Sequence, residues 1–260
     1  LQTLRTETPG WTDSLHLNHG GASLLPGPAL DALTEHLALE SRLGAMDAAA
    51  EVAPQIEALR ANAARLLNAH SEEIAFTSSG SAAFGAMFSA LLNHRPLRAG
   101  ERILVGRQEW GGNLASYERA AQRAGARVEV IPSQADGSVD AAALATMLDE
   151  RVRLVSLTWL PANGGLINDA AAIGRITRAA GVPYFIDAGQ ALGQLPVDVQ
   201  ALQCDLLKSA GRKHLRGPRG TALLYVRRAL LQQLDPPWVD VQSGAWSAGG
   251  ALLLSDARRL

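Results

Sequence analysis

The chain has 260 residues, 47% of them hydrophobic, and a formal net charge of −1 from 24 Lys+Arg against 25 Asp+Glu. That length supports one sizeable core or two modest domains, and the charge balance argues against the basic excess of a nucleic-acid or membrane-surface protein. No apolar run reaches membrane-spanning length, LQTLRTETPG has no signal-peptide pattern, and the single Cys204 excludes an internal disulfide or a CxxC metal site. A soluble cytoplasmic protein is the expectation.

In chain order, PALDALTEHLALESRL (28–43) has helical spacing with Pro28 placed to start it, and APQIEALRANAARLLNA (53–69) predicts a second helix. The pattern then alternates. EIAFT (73–77) is a strand, SSGSAA a turn, and FGAMFSALLN (84–93) an apolar helix. RILV (102–105) is a strand, NLASYERAAQRAG (113–125) a helix ending at glycine, and RVEVIP (127–132) a strand. DAAALATMLDE (140–150) reads as a helix, RLVSLTWL (153–160) as a buried strand, and NDAAAIGRITRAAG (168–181) as a helix capped by Asn168 or Asp169. PYFIDAG, CDLLKSA and GTALLYV complete the strands. Alternation of this kind predicts an α/β fold of three layers, α/β/α, with a mainly parallel sheet between helices. Ligands of such sheets bind beyond the carboxyl ends of the strands, so the chemistry is sought there.

Several strand ends stand out. TSSGSAA places Gly80 and Ser81 at a helix N-terminus, where free amides suit a phosphate, although a serine-rich cap looks the same. In QEWGGN, Trp110 follows a strand on a glycine hinge, fit for the core or for stacking on a flat ligand. WLPANGG offers Asn163, with Gly164 and Gly165 allowing close backbone approach. FIDAGQ ends an apolar strand with Asp187, followed by Gln190; a turn aspartate is the plain alternative. In SAGRKHLRGPRG, Lys213 stands beside Arg212 after a buried-looking segment, and a buried amine must be neutralised or used. His16 and His19 lack a third metal ligand, and GxSxG and the dinucleotide glycine fingerprint are absent. A lysine, a strand-end aspartate, a phosphate turn and an aromatic lid together are what pyridoxal 5'-phosphate (PLP) requires.

From LNHGGASLLPGPALDAL through GPRGTALLYV the chain resembles the class V aminotransferase family of fold-type I PLP enzymes, which includes cysteine desulfurases, selenocysteine lyases and isopenicillin N epimerase. FIDAGQ and GRKHLRGPRGTALLYV carry the likeness most specifically. Within the family, PPWVDVQSGAWSA and the GRK-x-LRGPRGT loop look most like the hercynylcysteine sulfoxide lyases of the ergothioneine pathway.

The resemblance implies that Lys213 is the Schiff-base lysine and proton shuttle, and that Asp187 pairs with the pyridinium nitrogen. It places Gln190 at the ring's phenolic oxygen, Gly80, Ser81 and Arg212 at the phosphate, and Trp110 against the ring in place of a histidine. Asn163 falls near the substrate carboxylate and the cofactor's ring oxygen, and Asn18 and His19 fall on the substrate side.

It also implies a homodimer acting on a small amino-acid substrate, and a division into a segment 1–20, a PLP-binding large domain 21–235 and the start of a C-terminal domain 236–260 whose remainder is missing. The chain departs from the pattern at Ala210, where a hydroxyl is expected, with Ser209 one place off. The leading expectation is a PLP lyase acting on a sulfur- or selenium-substituted amino acid. A transaminase or epimerase uses the same residues, and a non-catalytic homologue of the fold is the reading from another class.

Overall fold

The computed structural model describes residues 2–163, 165–240, 243–247 and 249–260, the side chains of Trp246 and Ala251 apart. Gly164, and the Trp246 side chain of the tail singled out above, lie outside the described residues.

Helix α1 (Gln2–Thr6) precedes two long helices, α2 (Gly27–Leu43) and α3 (Ala45–Leu67), which pack on each other. Helix α3 begins eight residues before the predicted start at 53. Its Ala-rich first turns favour helix strongly enough to run through Pro54. There follow β1 (Ile74–Thr77), α4 (Gly80–His94), β2 (Arg102–Val105), α5 (Gly111–Ala124), β3 (Arg127–Val130), α6 (Ala141–Met147), β4 (Val152–Thr158) and α7 (Ala170–Ala180). Strand β5 (Tyr184–Asp187), α8 (Val199–Leu202), β6 (Leu206–Ala210), β7 (Ala222–Val226) and α9 (Arg228–Leu231) complete this layer set. A hairpin of β8 (Gly244–Ser247) and β9 (Gly250–Leu253) ends the described chain.

One seven-stranded sheet has the order β1-β7-β6-β5-β4-β2-β3. All pairs from β6 to β3 are parallel, while β7 is antiparallel to both β6 and β1. Strand β1 therefore runs with the parallel set. Strands β4, β5, β6 and β7 are buried along their whole lengths, whereas the edge strand β3 carries Arg127, Glu129 and an exposed Val130.

Neighbouring residues of one strand point into different cores. Leu154, Phe185, Leu206 and Leu224 pack with Phe84, Met87 and Tyr117 of α4 and α5. Val155, Ile186, Leu207 and Tyr225 pack with Leu67, Leu144, Ile173 and Leu202 on the opposite face. Cys204 belongs to this second core and burial holds its thiol far above the ordinary range, consistent with a packing role. The three-layer α/β/α architecture is thus as the sequence pattern predicts. Its consequence for function is that the carboxyl ends of β1, β2, β4, β5 and β6 all open on one edge of the sheet. Among the described residues no helix is long and apolar enough to cross a membrane.

Candidate active site

The five strand-end loops meet in one open cleft with about 540 Å³ of empty space, part of it continuous with solvent. Gly80 and Ser81 line it from β1, Trp110 from β2, Asp187 from β5, and Arg212 and Lys213 from β6. Gly189 shows how closely two of these approach. A Cβ at that position would lie 3.0 Å from Asp187 Oδ1 and 3.5 Å from Lys213 Nζ, so a carboxylate and an amine converge on one point that a side chain would fill.

Lys213 sits in the turn after β6. That turn is shaped by Gly211, whose backbone donates to Thr221 O at 2.9 Å and accepts from Gly217 N at 2.8 Å. A Cβ on Gly211 would come within 2.2 Å of Thr221 Oγ1, so only glycine fits there without displacement. The Lys213 ammonium lies 5.6 Å from the centroid of the Trp110 ring, in cation–π range. Burial pulls the Lys213 amine below its ordinary value; Asp187 opposes the shift, and the charges of Lys208 and Arg212 add to it. An amine so depressed is a better nucleophile near neutral pH.

Asp187 ends β5 and is 5% exposed. Its Oδ2 accepts from Asn113 Nδ2 at 2.9 Å and meets Lys208 Nζ at 2.7 Å, while Oδ1 accepts from Gly189 N at 3.0 Å. Lys208 is the direct ladder partner of Asp187 across β5 and β6, and it too is buried.

Behind this pair lies Glu109, whose carboxyl accepts from Ser156 Oγ at 2.5 Å, Thr158 Oγ1 at 2.9 Å, Asn113 Nδ2 at 2.9 Å and the Trp110 backbone at 2.8 Å. Burial raises the Glu109 carboxyl above its usual value, opposed by those hydrogen bonds and assisted by the charge of Asp187. The network fixes the start of α5 and so the position of Trp110. The indole turns back over Gly112, where a Cβ would meet Nε1 at 3.2 Å.

The remaining sequence-predicted residues divide. Gln190 lines the cleft, but its amide is engaged on both sides: Nε2 donates to Gly20 O at 2.9 Å, and Oε1 faces His214 Nε2 at 2.9 Å. Arg212 Nε donates to Gly21 O at 3.2 Å, and the Arg212 carbonyl accepts from Ser23 N at 2.8 Å. These bonds lay the 18–23 segment along the rim. Asn18 is exposed, with its side chain accepting from Gly21 N at 3.0 Å. His19 is exposed, edge-on to His16 at 4.7 Å between ring centroids, and lies outside the cleft lining. Asn163 is also exposed; at its loop Leu160 and Ala162 line the cleft instead. Lys208, Glu109, Asn113 and His214 were not singled out from the sequence. Lys208 was legible in principle, as an ionisable residue inside a strand with a central pattern. Among the described residues no cluster of three or more His, Cys, Asp or Glu is placed to hold a metal.

The cleft joins a nucleophilic amine, a buried carboxylate, a helix N-terminus with Gly80 and Ser81, and an aromatic face. Comparison with known proteins identifies the family. The Aminotransferase class-V family description matches residues 16–242. The chain belongs to this family.

A cysteine desulfurase of Shigella sonnei (strain Ss046) is 30% identical over 242 residues, 92% of this chain and 57% of that protein. One from Yersinia pestis (strain Pestoides F) is 35% identical over 205 residues, 78% of this chain and 48% of that protein. The chain therefore spans about half the length of these relatives.

Among solved structures, the apo cysteine desulfurase of Thermococcus onnurineus NA1 superposes with a TM-score of 0.88 at 25% identity, over 99% of this chain and 65% of that one. The cystine C-S lyase C-DES, in complex with its product cysteine persulfide, superposes with a TM-score of 0.87 at 27% identity, over 97% of this chain and 68% of that one. A C-DES variant carries glycine covalently linked to its PLP cofactor.

Proposed function

We propose that this chain is the cofactor-binding part of a PLP-dependent C–S lyase of the cysteine desulfurase type, acting on a small sulfur- or selenium-substituted amino acid. The observation that carries the proposal is the convergence of Asp187 and Lys213 within 3.0 and 3.5 Å of one point in a cleft that also holds the Gly80–Ser81 turn. When bound, PLP supplies an electron-accepting ring that stabilises negative charge at the substrate α-carbon. Lys213 holds the cofactor and moves the α-proton; its depressed basicity suits both tasks. Asp187, fixed by Asn113 and Gly189, keeps a negative charge at the pyridine end. Gly80, Ser81 and Arg212 take the phosphate, and Trp110 covers the ring.

Two features support a C–S lyase over transamination or epimerisation: relatives named cysteine desulfurase, and the structural likeness to a cystine C-S lyase. The narrower reading, a hercynylcysteine sulfoxide lyase, is favoured by the sequence likeness of the loop GRKHLRGPRGT and the tail PPWVDVQSGAWSA. A homodimer, on resemblance, and a cytoplasmic location, the default for this composition, complete the proposal.

The test has two stages. Purified protein is mixed with PLP, and absorbance is read before and after borohydride beside a Lys213→Ala control. A visible band that borohydride fixes covalently, and that the control lacks, supports the cofactor assignment; no band in either protein refutes it for this chain and leaves the non-catalytic reading. Sulfide or persulfide release from cysteine and cystine then supports the lyase, whereas keto-acid formation without sulfur release refutes it.

A further inference from the structure

The cleft has an unusual charge arrangement. Among the described residues three cationic side chains, Lys208, Arg212 and Lys213, line it together with the N-terminus of α4, against the single carboxylate of Asp187. Glu109 lies behind this lining, where it is consumed by its own donors. Lys208 is the cation that none of the roles above uses. Its Nζ lies 2.7 Å from Asp187 Oδ2 and 3.5 Å from where a Cβ on Gly80 would stand, so it spans the distance between the carboxylate and the first residue of α4. A cation against the positive end of a helix is unfavourable unless an anion is bound between them.

Position 210, two residues further along the same face of β6, is where the resemblance expects a hydroxyl and where this chain has alanine. Ser209 does not replace it. That side chain is 1% exposed, its Oγ has no hydrogen-bond partner, and it is not among the residues lining the cleft. Lys208 and Ala210 both line the cleft. An ammonium carries three donors, and the contact with Asp187 uses one.

Resting on the PLP reading, we propose that Lys208 is a phosphate-binding residue of this cleft, its ammonium bridging Asp187 and the cofactor phosphate and supplying the contact that Ala210 cannot. The competing role for Lys208 is to neutralise Asp187 only, in which case the phosphate is irrelevant to it.

The two roles separate when PLP is compared with pyridoxal, which lacks the phosphate. Wild type, Lys208→Met and Lys208→Gln are titrated with each by absorbance and Trp fluorescence, with inorganic phosphate as competitor; the Gln variant retains a hydrogen bond to Asp187 and guards against misfolding of the Met variant. Loss of one charge-assisted contact should lower the ratio of PLP to pyridoxal affinity by about tenfold or more in both variants. Inorganic phosphate should also compete less well against PLP than in wild type. An equal change for PLP and pyridoxal, or tighter PLP binding in the variants, overturns the assignment while leaving the cofactor reading intact. A wild-type protein that binds neither compound overturns the cofactor reading and this inference with it.

Discussion

Replacing Asp187 with Asn, in the unliganded protein, removes one partner of an ion pair whose two side chains are 7% and 8% exposed. At 2.7 Å, with little water to take over, the Lys208 charge is left uncompensated, and removal of one partner from such a pair costs about 3–5 kcal/mol. Asparagine keeps one oxygen for Asn113 or Gly189, but its amide then points at a cation or at another donor. For a chain of this length the loss corresponds to a fall in Tm of roughly 6–20 °C.

The double variant Asp187→Asn/Lys208→Met removes both charges, and it should recover an interaction energy of about 2–3 kcal/mol relative to the sum of the single changes. Urea denaturation of all four proteins, at equal m, closes the cycle. A single-variant cost below about 1 kcal/mol, or a double variant no better than additive, would refute the claim that these charges are held as a buried pair.

Capture of PLP by Lys213 needs the neutral amine, so the rate of borohydride-trappable incorporation should rise with pH with a midpoint below 10.5, and Lys208→Met should move that midpoint upward. Because the folded-state value is the lower one, the unfolded chain binds more protons in the interval between them. Stability of the unliganded protein should therefore increase as pH rises through that interval; a denaturation series showing a decrease attributable to Lys213, by comparison with Lys213→Met, contradicts the assignment. Gly211→Ala drives a Cβ to within 2.2 Å of Thr221 Oγ1, so it should cost about 1–3 kcal/mol and weaken PLP capture, with Gly211→Ala/Thr221→Ala partly restoring both. Trp110 is 48% exposed, so Trp110→Ala should change stability by less than about 1 kcal/mol yet weaken PLP binding, read by absorbance titration.

What the sequence made legible follows from where burial and polarity conflict. Continuous apolar runs such as RLVSLTWL and PYFIDAG can be satisfied only between two helical layers, and β4 and β5 lie there. Asp187 and Lys213 stood out because each breaks an apolar pattern at its end, where the chain leaves the sheet and side chains turn to the cleft. Lys208 breaks the same pattern in mid-strand, and what makes it tolerable is its register opposite Asp187, which is a property of strand pairing and not of either segment. Glu109 likewise reads as a loop acid until β4 brings Ser156 and Thr158 beneath it.

Asn163 shows the opposite case. Its role was carried by resemblance, and the neighbouring Leu160 and Ala162 are what its loop presents to the cleft. Lys208, the charged residue within β6, has its partner Asp187 one ladder step away. On the proposed assignment that step joins the pyridine end of the cofactor site to its phosphate end, so one lysine substitution should act on both.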